Sequence, residues 1–593
     1  MLPDSADNPL KFYRRNYQKQ EHIELTKRPM NFLNQYWSIP IWITSRSYFT
    51  GTEKARTIIT NARWATHIVL EELSSDMWNT LPERFTLQTL KKPLAEIGID
   101  IDAAEHLEEV ENFLESLRQE GCLVLENAEN PQPVKTKLTP DELREITPVK
   151  SRFNVGLNKE GILPNVGIEL TYRCNEKCVH CFNPRYKEKY DATCDVPNEE
   201  LTTAEIKNLL NEMYEMGVYS VAFSGGEPSL RTDLFEILDE VKRLKFAFTV
   251  STNGQMSEEK LHKLASYYPA GIGISIYSAN PEIHDATTRI KGSFEKSVQA
   301  LRLLHELGIS ISIKSPLMKH TVHGFQELLR LCDELKAAPA FDNAISPSTD
   351  GNQDVTLHQI LDKDALTHVF RERRLPLYIG LETPTTGIRM AAVDDTLCGA
   401  GFTSLGICPD GTTYPCNGLP INLGNVRNGG LRKIWEESEA LKAWNRLTAQ
   451  DTNECGLYHK CLYCNYCAGL SMLTSNDLLT AHKASCDIAG IRRDMVTDLK
   501  EGIDPLVHYE KTHGQPFGHD LTFTAPQTME QVPSMIEVNH SGEDFVMRVN
   551  EVKRNGNPIR KGKTYEPDSP EDLYHRGELR KDNSTRELLE TGR

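Results

Sequence analysis

Residues 165–184 read "NVGIELTYRCNEKCVHCFNP", and the fold turns on how this stretch is read. Its first seven residues form a short apolar run of the kind that makes a buried strand. Cys174, Cys178 and Cys181 follow at once in a C-x3-C-x2-C spacing. Four cysteines usually complete a tetrahedral zinc or iron–sulfur site. Three leave one iron of a cubane without a protein ligand, and an open iron can bind and polarise a small molecule as a catalytic zinc with a vacant position does. A zinc reading needs a fourth ligand, for which His180 is the candidate.

The rest of the composition sets the frame. A chain of 593 residues is too long for one hydrophobic core and divides into several domains. Its hydrophobic fraction of 39% is that of ordinary globular structure. No run approaches the roughly 18 consecutive apolar residues of a membrane span, and the first residues lack the apolar core of a secretory signal. The expectation is a soluble cytoplasmic protein without a membrane partner. A net charge of −17 argues against a nucleic-acid groove. The 14 cysteines, in such a chain, read as metal ligands rather than disulfides. Beyond the first trio, Cys398, Cys408, Cys416, Cys455, Cys461, Cys464, Cys467 and Cys486 form a second group.

Six segments are expected. Residues 1–35 are an N-terminal extension, 36–128 a small α+β module, and 129–162 a polar linker. In the module, "IPIWITSRSYF" and "RTIIT" read as strands, and "RWATHIVLEEL" and "AAEHLEEVENFLESLRQEG" as helices. Residues 163–380 alternate strand and helix: "NVGIELT", "YSVAFSG", "FAFTVST", "GIGISIY", "GISISIK" and "FDNAISP" are the strands. Thr202 and Glu205 form a capping box ahead of a helix with Ile206, Leu209, Leu210 and Met213 on one face. Six β–α units imply an α/β fold, a parallel sheet curved into a partial (β/α)6 barrel. Reaction centres of such folds lie beyond the C-terminal strand ends, where the three cysteines and "SGGEPS" both fall. Residues 381–495 are loop-rich and cysteine-rich, and 496–593 form a polar tail with a possible hairpin at "SMIEVN" and "DFVMRVNEV".

The C-x3-C-x2-C run, with His180 in an aromatic slot, resembles the signature of the radical S-adenosylmethionine (SAM) superfamily. The resemblance implies a [4Fe-4S] cluster on Cys174, Cys178 and Cys181, with SAM chelating the fourth iron and being cleaved reductively to a 5′-deoxyadenosyl radical. "GGEP" (Gly225, Gly226, Glu227, Pro228) resembles the motif that holds the methionine end of SAM, Glu227 receiving its ammonium. Ser251 and Asn253 in "STNG", Ser275 in "GISIYS", and Arg289 match further family positions that meet SAM, with a barrel ion pair the other reading of Arg289.

"CGAGFTSLGICPDGTTYPC" followed by "LGNVRNGGLRKIW" resembles a SPASM domain. This implies two auxiliary [4Fe-4S] clusters on the second cysteine group. The spacing Cys455-x5-Cys461-x2-Cys464-x2-Cys467, then Cys486, departs from the family's usual C-x2-C-x5-C-x3-C and leaves the division between clusters open. Two zinc ions are the alternative for the same residues. The first module resembles a PqqD-like recognition element with a winged-helix-like order, which implies a leader peptide added as an extra strand to a sheet edge. A structural cap on the barrel is the plainer reading.

Together these resemblances imply a maturase of a ribosomally made precursor peptide, served by a flavodoxin- or ferredoxin-type electron donor. Crosslink formation is favoured over epimerisation or backbone excision, because an auxiliary cluster is most useful where a second electron must leave. A sulfatase-maturing type ranks lower, since Asn417 stands where that group commonly has an aspartate base. A non-catalytic iron–sulfur peptide-binding protein is the remaining alternative. No catalytic residue is assigned from sequence.

Overall fold

The computed structural model describes residues 34–130, 150, 153–183, 200–348, 354–375, 377–378, 398–448, 451 and 466–513. Cys455, Cys461 and Cys464, and the hairpin expected near the C-terminus, lie outside them.

The first module opens with β1 (Trp37–Ser38) and a meander of β2 (Ile43–Tyr48), β3 (Arg56–Asn61) and β4 (Thr66–Glu71). Then come α1 (Glu72–Asn79), β5 (Arg84–Phe85), α2 (Leu87–Glu96), α3 (Ala104–Gln119) and β6 (Val124–Leu125). The meander pairs in the order β2-β3-β4, and a second small sheet pairs β5-β1-β6. Sequence reading made "RWATHIVLEEL" helical. Its middle is instead β4, paired antiparallel with β3 (Ile58↔Val69, Ile59↔Ile68), and the helix starts only at Glu72. β-Branched Thr66, Ile68 and Val69 pack better on a pleated surface than on a helix, and Ala65, at φ 53°, turns the chain back into the sheet. In α3, Val110, Phe113, Leu114 and Leu117 are buried and packed with Trp37 and Phe85.

A helix over residues 153–159 (α4) leads into the larger unit. There β7 (Asn165–Thr171), α5 (Thr203–Glu215), β8 (Ser220–Gly225), α6 (Leu234–Arg243), β9 (Ala247–Thr252) and α7 (Glu258–Ala265) alternate. β10 (Gly271–Ser275), α8 (Pro281–Thr288), α9 (Ser293–Glu306), β11 (Ile311–Pro316), α10 (Phe325–Leu335), β12 (Ala338–Asp342) and α11 (Lys363–Phe370) continue the pattern. The six strands β7 to β12 lie side by side in chain order, all parallel. Thr202 and Glu205 close the capping box expected of them. The last strand ends two residues into "FDNAISP", because the Asp342 carboxylate accepts from the Asn343 and Ala344 amides and turns the chain there.

Period-two alternation sorts the strand side chains. Val166, Ile168 and Leu170 on β7, Val221 and Phe223 on β8, and Ile311 and Ile313 on β11 belong to one core beneath the helices. The intervening positions face the barrel interior, and many are small: Gly167, Ala222, Ser224, Ser251, Gly273 and Ser275.

The sheet does not stop at six. β13 (Ser404–Ile407) pairs parallel to β7 in the register Gly406↔Gly167, and β14 (Thr412–Tyr414) and β15 (Gly424–Asn425) follow antiparallel. The cysteine-rich region is therefore built onto the open edge of the barrel. Helices α12 (Gly430–Glu437), α13 (Glu439–Asn445), α14 (Ala468–Ser475), α15 (Lys483–Lys500) and α16 (Pro505–His513) complete the described chain. Ordered helix thus continues past residue 496, where the sequence suggested a tail.

Candidate active site

Three loops meet at the C-terminal ends of the strands. The cysteine loop leaves β7 at Thr171, and its Cys174, Cys178 and Cys181 form no disulfide. Each is close enough to feel the charge of another: Cys181 acts on Cys174, and both act on Cys178. Burial pushes the Cys174 thiol up to about 12 and the Cys178 thiol well above its ordinary value. Such thiols give up their protons only to a strong local cation, which a metal centre provides. Among the described residues no three His, Cys, Asp or Glu side chains converge on a point suited to a single metal ion. Thiols that are close but do not share one ion suit separate corners of a cluster better than one zinc.

The loop is tied down on both sides. The Lys177 and Val179 amides donate to the carbonyls of Thr288 and Thr287 at the end of α8. His180, in the aromatic slot, meets the Tyr277 ring edge-on at 4.6 Å. The Tyr277 hydroxyl lies 3.7 Å from Cys178 Sγ. Glu176, pushed up to about 7 by burial, accepts from Cys178 Sγ and from Gln255 Nε2.

The "GGEP" turn sits directly on this loop. The Gly226 amide donates to Thr171 O at 2.7 Å and the Glu227 amide to Arg173 O at 2.8 Å. A Cβ on Gly226 would meet Arg173 O at 2.3 Å, and one on Gly225, at φ +123°, would meet Thr171 O at 2.3 Å. Only glycine permits that approach. Pro228 starts a buried 3-10 turn.

Glu227 has a structural role that the sequence did not suggest. Its carboxylate is fully buried. It accepts from the Ser229 amide (3.0 Å), the Asn253 amide (2.8 Å) and, through both oxygens, the Thr252 hydroxyl (2.9 Å). These three donors tie the β8 turn to the end of β9. Asn253 continues the tie, donating through Nδ2 to Asn175 Oδ1 in the cysteine loop. Ser251 faces the barrel interior and Ser275 ends β10. Arg289, left-handed at φ 59° after α8, is exposed. The neighbouring Asp285 caps α9 through the Gly292 and Phe294 amides.

The second cysteine group separates. Cys398, Cys416 and Cys467 act electrostatically on one another. Cys486 stands exposed near the start of α15. Cys408 goes elsewhere, into a buried array with Glu169, Tyr172 and Asn417. The Tyr172 hydroxyl donates to Glu169 Oε2 at 3.1 Å, and Asn417 and Cys408 also hydrogen-bond that carboxyl. Burial pushes Glu169 up to about 7 against those bonds. The paired glycines make room: a Cβ on Gly406 would sit 2.1 Å from Asn417 Oδ1.

Sequence reading missed Glu169 and Lys314. The signal was available: each is the polar member of an alternating strand whose apolar members are core, as Glu169 is between Ile168 and Leu170.

Family models agree with this architecture. Residues 168–332 match the radical SAM superfamily, and residues 398–467 match the SPASM iron-sulfur cluster-binding domain. Among curated proteins, the AdoMet-dependent heme synthase of Methanosarcina barkeri is 28% identical over 51% of this chain and 89% of its own length. That of Nitratidesulfovibrio vulgaris is 25% identical over 51% and 85%. Streptococcus suis SuiB bound to S-adenosylmethionine is similar in structure, with TM-score 0.45, 16% identity, and coverage of 76% of this chain and 99% of that one. Residues 168–332 thus form a radical SAM domain and residues 398–467 a SPASM domain, with S-adenosylmethionine and iron–sulfur clusters as their cofactors.

Proposed function

We propose that this radical SAM/SPASM enzyme modifies a ribosomally synthesised precursor peptide, with crosslink formation as the outcome. When bound, the reduced cluster on Cys174, Cys178 and Cys181 supplies the electron that cleaves SAM, giving a radical that takes hydrogen from substrate. The protein holds the cysteine loop rigid through Glu227 and Asn253, and it offers an inner face of small side chains where a peptide segment fits.

The observation that carries the peptide reading is the first module. It has its own core, and among the described residues β2 and β4 of its meander each pair on one side only, so a leader peptide can add as a further strand. The module is fixed against the barrel: Tyr48 donates to Gly217 O at 2.7 Å and packs with Phe153, Leu157 and Tyr219. A leader on that sheet would have a constant reach to the barrel mouth. A flavodoxin- or ferredoxin-type protein would supply the electrons.

The test is anaerobic co-expression with short open reading frames from beside the gene, followed by intact peptide mass in normal and heavy water. Loss of two hydrogens supports crosslinking. One carbon-bound deuterium without that loss means epimerisation, and an unchanged peptide alongside active SAM cleavage sinks the peptide reading.

A second reading has its own support. The curated relatives are named heme synthases and align over most of their length. Heme formation is then the activity, and the purified enzyme supplied with SAM and a tetrapyrrole precursor would yield heme, read by its absorbance.

A further inference from the structure

Lys314 is a cation pointing into the barrel. Its strand neighbours Ile313 and Ser315 are buried, while Lys314 itself is exposed to the interior space. The side chain reaches sideways across β10 to β9, where Nζ donates to Ser251 Oγ at 2.6 Å. That path exists because β10 has glycine beneath it: a Cβ on Gly273 would lie 2.5 Å from Lys314 Cε and 2.9 Å from Cδ. The stem is therefore laid in a fixed channel, and the head is held at one point on the inner wall.

Among the described residues no carboxylate lies within ion-pair distance of Nζ, and the surrounding protein lowers the ammonium's proton affinity by desolvation. An ammonium carries three donors, and Ser251 uses one. Holding a partly desolvated charge without a counter-ion is unfavourable unless an anion arrives to share it. The register places Lys314 beside Ser275, at the level where β10 ends on the catalytic rim.

We propose that Lys314 is a substrate-binding residue that receives a carboxylate inside the barrel. This rests on the substrate entering the barrel, and not on the substrate being a peptide. SAM brings a carboxylate of its own, and the test separates the two sources.

The experiment is a lysine footprint on the full-length, cluster-loaded protein. Acetylation of Lys314 by an amine-reactive ester is followed by mass spectrometry with SAM present, adding either glutarate or its neutral analogue glutaramide. Glutarate is expected to slow Lys314 acetylation by about twofold at its Kd and about tenfold at ten times its Kd, with glutaramide without effect. Half-buried Lys207, paired with Glu236, is the internal control and stays unchanged. An acidic tripeptide and a carboxylated porphyrin replace glutarate in parallel arms, and the tighter protector identifies the source. Equal protection by glutaramide, or none by any carboxylate, overturns the proposal.

Lys314→Met preserves the stem over Gly273 and is expected to bind SAM unchanged in equilibrium dialysis. A loss of about tenfold in SAM affinity (about 1.4 kcal/mol) would make Lys314 a SAM ligand and overturn it. Should that variant not fold, the native-chain footprint still decides.

Discussion

Replacing Glu227 by glutamine separates a structural role from a ligand role. In the native protein one carboxylate oxygen takes the Ser229 amide and the other takes the Asn253 amide, and Thr252 donates to both. Glutamine keeps one acceptor oxygen and turns an NH2 group toward the other amide. One hydrogen bond to a charged group is lost, about 1.5–3 kcal/mol, and a buried N–H is left facing a donor, about 1–3 kcal/mol. The two contributions overlap, so a local cost of about 3–4 kcal/mol is expected. At about 1.4 kcal/mol per decade, the β8 and β9 turns should open about 10²–10³ times more often. Amide hydrogen exchange over residues 225–230 and 251–255, measured on the apo and the cluster-loaded protein, reads this directly. SAM affinity should fall in both variants of the tie, Glu227→Gln and Thr252→Val, because both loosen the same turn. If Glu227→Gln weakens SAM binding while exchange in those segments is unchanged, the carboxylate meets SAM itself and the structural reasoning is wrong.

Changing Cys174, Cys178 or Cys181 to alanine should each remove about four irons per chain and abolish 5′-deoxyadenosine formation, by iron assay and chromatography. Cys408→Ser should leave bound iron unchanged whereas Cys416→Ser lowers it. Equal losses would return Cys408 to the cluster ligands. Glu212 on α5 accepts from the Leu431 and Arg432 amides at the start of α12. Glu212→Ala should therefore cost about 1–2 kcal/mol, read as roughly tenfold faster exchange over residues 430–434. Glu205 is held down to about 2 from an ordinary 4.5, chiefly by its hydrogen bond from Arg427. Because the folded value is lowered, its contribution is complete above pH 4.5 and is lost as pH falls toward 2. Acid should loosen the Arg427 seam in that window, and Glu205→Gln should flatten the dependence.

What could be read from sequence followed what local chemistry controls. The strand–cysteine–"GGEP" order was visible because strand, metal spacing and glycine turn are each short-range signals. The Thr202–Glu205 box was legible for the same reason. The tie made by Glu227 was not legible because its partners, Thr252 and Asn253, come from another strand that only the parallel register brings near. The "RWATHIVLEEL" segment misled because its apolar residues fit either period, and pairing with β3 decided between them. Lys314 could have been found by alternation alone, but its meaning required Gly273 and Ser251 on two further strands.

Cys408 shows how one hairpin decides ligand sets. Strand β13 runs parallel to β7 and so points at the catalytic rim, and β14 runs back. Cys408 lies in the turn between them, "CPDG", at the rim end. Cys398 precedes the hairpin and Cys416 follows it, so both lie at the other end, and the Gly401 amide donating to Pro415 O at 3.0 Å closes that end. Cys416 nonetheless passes beside Gly406, where a Cβ would lie 3.2 Å from its carbonyl carbon, while Cys408 turns toward Glu169. A single-residue insertion between Gly406 and Cys408 would turn Cys408 outward and an apolar side chain inward, since neighbouring side chains alternate faces. Glu169 would then lose one of its three hydrogen-bonding partners while Cys398 and Cys416 stayed together, so iron content would hold and the buried Glu169 array would fail.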